Sequence, residues 1–341
     1  MKKRVLAVIL AVLCIMAAGC SAAMPQEQEG AGAAVSESDA PKQIKAKKVE
    51  LSGSADDSFV AQEHCYAESE RVVMYFHEGV TVKGDMLVIT EKIMDDLSRA
   101  SGMSFEKSYE IKEQHDMMGE EFPYGYFDGV NDDEEKINVM IVNMEDTRVA
   151  TALGDVAQLD PRAYDYEYSL YQEIYHELTH VMHMRNYEMM GTVINEGFAT
   201  YMTERAMKEA KLPPWNSIQY YDPYDYDDSV VLQGEEGFSL YYQPKTDNYQ
   251  YGFRFVSFLY DEYGDDALPN IMKAATEQGF VGDTYSSTES KLLADDNEQI
   301  KGIIKENTSD DVFERFTKWY KSDWKRLCNE YNSYLRSIGA M

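Results

Sequence analysis

The stretch His176-Glu177-Leu178-Thr179-His180, with Asn195-Glu196-Gly197-Phe198-Ala199 a short connection later, decides how this chain is read. Around the first segment, Leu170, Ile174, Leu178 and Val181 or Met182 recur at helical spacing, which predicts a helix over 165–183. Residues four apart on a helix are displaced by about 40° and 6 Å, so His176 and His180 share a face and can hold one metal ion. Glu177, rotated by about 100° from His176, can reach a water beside that ion without becoming a ligand. The bland alternative is a surface helix that carries two histidines and no ion.

A catalytic zinc needs a third protein ligand and an open position for water. Fifteen residues separate His180 from Glu196, and a second helix is expected over 193–210, so Glu196 stands on the next helix. Two residues compete with it. His183 lies seven positions after His176 on nearly the same helical face, and Glu188 lies in the connection. The expected set is therefore His176, His180 and Glu196 for Zn²⁺, with Glu177 as general base.

At these residues the sequence resembles the gluzincins, metallopeptidases whose HExxH helix is followed by a second helix that donates a Glu. The 195–199 segment is similar to that of the thermolysin and M1 aminopeptidase side of that group, and especially to small peptidase-MA-like bacterial domains. The resemblance covers about 71–272, with its specific core at 176–201. It implies an α+β, zincin-like fold: an N-terminal mixed sheet bearing the active-site helix (59–190) and a mainly helical C-terminal subdomain (191–341). It also implies a peptide or protein substrate, paired against an edge strand beside the active-site helix; from the order of elements, 137–142 is read as the neighbour of that edge. Asn248-Tyr249-Gln250-Tyr251-Gly252 looks like the Tyr-x-x-Gly segment of M1-type enzymes, which places Tyr249 as the transition-state tyrosine, Tyr251 being the alternative and helix packing the bland reading. No Gly-x-Met-Glu-Asn segment of the M1 exopeptidase kind is present, so endopeptidase action is expected.

The remaining sequence frames that unit. Residues 71–77 and 136–142 read as strands, 90–100 as a helix, 143–164 as a loop, 213–247 as irregular, and 252–263 and 309–338 as closing helices. The Tyr- and Asp-rich run at 220–228 reads as a solvated loop, a lid or a calcium loop. A formal charge of −29 opposes nucleic acid as a partner. Lys2-Lys3-Arg4, the apolar run 5–16 and Ala17-Ala18-Gly19-Cys20 resemble a bacterial lipoprotein signal, an uncleaved anchor being the other reading. Cleavage after residue 19 and lipid on Cys20 would put the protein outside the cytoplasm on the cell membrane, with 20–58 as a flexible tether. Cys65 and Cys328 then remain, as a disulfide or as two free thiols. The oligomeric state is not legible.

Overall fold

The computed structural model describes residues 43–110, 126–127, 135–143, 150–153, 155–161, 167–212, 229–240, 248–282 and 290–339. Ten short strands come first: β1 (Gln43–Ile44), β2 (Lys47–Lys48), β3 (Ser58–Val60), β4 (Cys65–Glu68), β5 (Val72–Phe76), β6 (Thr81–Lys83), β7 (Tyr126–Phe127), β8 (Ile137–Ile141), β9 (Ala150–Leu153) and β10 (Val156–Leu159). Helix α1 (Met86–Ser101) lies between β6 and β7. After β10 the described chain is helical: α2 (Glu167–Met184), α3 (Thr192–Glu209), a 3₁₀ turn (Val231–Gly237), α4 (Asn248–Tyr263), α5 (Ala267–Glu277), α6 (Ser290–Asn307), α7 (Val312–Ser322) and α8 (Trp324–Ser337). An N-terminal mixed sheet and a mainly helical C-terminal region thus make an α+β architecture.

The main sheet has the order β2-β4-β5-β8-β10-β9. β5, β8 and β10 run parallel, while β4 and β9 are antiparallel to the strands they flank. Every residue of β5 and β8 is buried, as expected of parallel strands covered on both faces. Val72, Met74, Phe76, Ile137, Val139 and Ile141 join the main core, which continues through α2, α3 and α4 to Cys328. Val73, Tyr75 and Met140 point the other way into a smaller cluster.

Several expectations change. The stretch read as a loop after residue 142 contains β9 and β10, and α2 packs along both. Strand β8 therefore lies inside the sheet, between β5 and β10, and β9 is the outer strand on that side. The closing helix expected over 309–338 is two helices that meet at Asp323, because Trp324 turns inward to pack against Trp319 and Phe253. Within the expected tether, β2 pairs with β4, and Val49 and Leu51 pack on the core. Cys65 and Cys328 are both buried, and no disulfide joins them. The run 220–228 and residues 1–42, including Cys20, lie outside the described residues. No described helix is long and apolar enough to cross a membrane.

Candidate metal centre

Helix α2 is sunk into the core. Between Tyr171 and Met184 only Glu173, His176 and His180 escape full burial, so the helix opens along a single stripe. Its inner face is pinned at mid-helix and at its C-terminal end. The Tyr175 hydroxyl donates to Asp96 on α1 at 2.7 Å, and Asp96 also pairs with Lys92 and Arg99. Just past the helix, the buried guanidinium of Arg185 donates to Asp155 at 2.9 Å and to the Glu135 carbonyl at 3.0 Å, tying α2 to the β8–β10 side of the sheet.

The turn into α3 then sets the next ligand. The Met190 amide donates to the Asn195 side-chain oxygen at 3.1 Å, and the Asn195 amide donates back to Gly191 O at 3.0 Å. Gly191 has φ of 84°, a conformation a side chain would strain. This tight turn brings the first turns of α3 back over α2, with Glu196 facing the two histidines.

The result is a compact donor set. His176 Nε2 lies 3.1 Å from His180 Nε2 and 3.1 Å from Glu196 Oε2, and His180 Nε2 lies 3.4 Å from the same oxygen. Ligands about 2.0–2.1 Å from a tetrahedral ion stand about 3.3–3.4 Å apart, so the three edges match one shared zinc. Two imidazole nitrogens and one carboxylate oxygen also suit zinc better than the all-oxygen cages of calcium or magnesium. The three side chains are 13–14% exposed, which leaves one side of the set open. Among the described residues no other group of His, Cys, Asp or Glu converges in this way.

Charge points the same way. Burial opposes the imidazolium of His176, yet the hydrogen bond and charge of Glu196, with Glu177 and Glu173 behind it, raise it to about 9. Burial also disfavours the Glu196 carboxylate, but His180 and His176 hold it well below the ordinary range. The two shifts are the two sides of one pairing, that of the histidines with the Glu196 carboxylate.

Glu177 is buried and stands outside the converging set, as a general base should. Burial, with Glu173 and Glu196 nearby, raises its carboxyl to about 8, against the pull of His176. The Tyr249 ring, in the first turn of α4, lies 6.1 Å from the His176 ring. Tyr251 is different: it is 2% exposed and packs against Phe238 and Phe316, away from the histidines.

The two rival ligands are also elsewhere. His183 is buried under Phe198 and donates through Nε2 to the Glu188 carbonyl at 3.1 Å; burial and the charge of His180 hold it down to about 3. The Glu188 carboxylate accepts from the Tyr109 hydroxyl at 2.8 Å and the Met189 amide at 3.1 Å. Both therefore build the connection between α2 and α3. Glu173, on the same open stripe as the ligands, was not singled out in the sequence, although its position three residues before His176 was the available signal.

No protein-family model matches the sequence, and no curated protein matches it. Among solved structures, the chain is similar to an M1 zinc metallopeptidase from Deinococcus radiodurans, with 15% identity and a TM-score of 0.41 over 76% of this chain and 51% of that one. It is also similar to the ZmpB metallopeptidase from Clostridium perfringens, with 14% identity and a TM-score of 0.44 over 78% of this chain and 49% of that one. The chain thus spans about half the length of these structures.

Proposed function

We propose that this protein is a zinc-dependent peptidase in which His176, His180 and Glu196 hold the ion and Glu177 is the general base. The observation that carries this reading is the convergence of three ligand atoms within 3.1–3.4 Å of one another on two successive helices, beside a buried carboxyl that does not join them. When bound, a zinc ion supplies Lewis acidity, polarising a carbonyl and bringing the acidity of water toward neutrality. The chain supplies the remaining functions. Glu177 takes the proton of the attacking water and returns it to the departing amine. Tyr249 donates its hydroxyl to the developing oxyanion. Strand β9, which has no further strand outside it among the described residues, offers an edge for an extended peptide, and endopeptidase action rests on the lack of a Gly-x-Met-Glu-Asn segment in the sequence.

The N-terminal signal adds location to the proposal: a chain lipidated at Cys20, anchored to the cell membrane and working outside the cytoplasm. The test is a mixed peptide library incubated with the zinc-loaded protein. Cleavage that a chelator abolishes and added zinc restores is the expected result. Stoichiometric zinc with no cleavage of any peptide would instead favour a noncatalytic peptide- or envelope-binding role.

A further inference from the structure

We infer that Glu173 is a substrate-recognition residue whose carboxylate receives a cationic group of the peptide close to the scissile bond. The inference rests on the peptidase reading above and deepens it.

Glu173, His176 and His180 are the residues of α2 between 171 and 184 that are more than marginally exposed. At spacings of three and seven they fall within about 60° of one another around the helix axis. Anything that approaches the metal ligands from outside therefore meets Glu173 as well. Its carboxylate is not a fourth ligand, since it stands outside the converging set.

Glu173 is half-buried on that stripe. Charged side chains on core helices are normally paired, because withdrawing a carboxylate from water without a partner is costly. Of the other acids around α2, Glu177, the candidate base, also has no lysine or arginine partner among the described residues, and the rest obey that rule. Asp96 has Tyr175, Lys92 and Arg99; Asp155 has Arg185 and Lys107; Glu188 has Tyr109. Glu173 has no hydrogen bond and no lysine or arginine partner among the described residues, and the charges acting on it are those of His176 and Glu196.

Distance fixes what that cation can be. Side chains three or four apart on a helix start about 5–6 Å from one another, and one residue of extended peptide spans about 3.3 Å. A cation on Glu173 therefore belongs to the residue at the scissile bond or to one next to it. An ammonium or guanidinium fits, from a Lys or Arg side chain or from a free amino terminus.

The experiment separates these sources and does not depend on turnover. The zinc-loaded Glu177→Gln chain is titrated with fluorescent peptides bearing Lys or Arg, with the same peptides bearing norleucine or citrulline, and with N-acetylated forms of each. Cationic peptides are expected to bind roughly 10–100-fold more tightly than their neutral isosteres, the range of one charge-assisted hydrogen bond. Adding Glu173→Gln should erase that difference. Loss on changing the side chain assigns the side-chain cation, and loss on acetylation assigns the amino terminus. Equal binding of cationic and isosteric peptides overturns the inference, as does a preference that survives Glu173→Gln. The isostere comparison needs no variant at position 173, so it decides even where Glu173→Gln does not fold. Cleavage by the parent chain with no charge preference would sink Glu173 and spare the peptidase; a charge preference in binding with no cleavage by the parent would do the reverse.

Discussion

Gly197 on α3 and Gly252 on α4 meet backbone to backbone: a Cβ on Gly197 would lie 2.4 Å from the Gly252 carbonyl carbon, and one on Gly252 would lie 2.1 Å from Val193 O. This contact joins the two halves of the candidate site, because Glu196 is the neighbour of one glycine and Tyr249 lies one helical turn before the other. Neither obstruction is the end of a flexible side chain, so the helices must separate to admit even a methyl group. Gly197→Ala and Gly252→Ala should each destabilise the protein by about 1–3 kcal/mol or more and weaken zinc binding with it. Denaturant midpoints and zinc titrations check this; unchanged values in both would show that the crossing is not rigid.

Glu177→Gln keeps the shape of the side chain and removes the base. It should bind zinc as the parent does while hydrolysis falls by a factor of about 100–10,000. Metal analysis and single-turnover cleavage on the same preparation read the two effects separately. A variant with full activity would take Glu177 out of the mechanism.

Tyr249→Phe retains the ring beside His176 and deletes only the hydroxyl. The expected loss is about 100-fold in kcat with little change in KM, since an oxyanion donor acts in the transition state. Unchanged turnover would mean that the ring is there to pack.

Glu204 gives a pH prediction away from the metal. It is 3% exposed between α3 and α8; one carboxylate oxygen accepts from the Tyr331 hydroxyl and the other has no hydrogen-bond partner. Burial raises its carboxyl from about 4.5 to about 8 in the folded chain. The folded state therefore holds the proton more tightly than the unfolded one. Stability from this group is complete below pH of about 4.5 and drains away as pH rises toward about 8. Glu204→Gln cannot ionise, so it should flatten that dependence and gain on the order of 2 kcal/mol over the parent at pH 8. Denaturant midpoints at pH 5 and pH 8 measure it, and the same loss of stability in both proteins would contradict it.

The sequence showed the site more clearly than the sheet around it. That His176 and His180 share a face was legible because helical spacing converts directly into it, and α1 and α2 carry apolar periodicity, whereas α3 is buried on nearly every side and carries little. The β9–β10 pair was hidden because β10 is only four residues long and buried throughout, so it has no polar alternation to betray it. Asp323 broke one expected helix in two through the inward turn of Trp324, a tertiary effect that the apolar spacing on either side does not register. His183 shares enough of the ligand face to pass as a candidate on paper. Only the packing of Phe198 and the Glu188 carbonyl shows that its ring is spoken for.

The central claim is that His176, His180 and Glu196 together hold one catalytic zinc, and equilibrium zinc titration of the purified parent and of Glu196→Ala tests it most directly. The parent should bind one zinc per chain, and the variant should bind at least about 100-fold more weakly. Equal stoichiometry and affinity in the two proteins would contradict it.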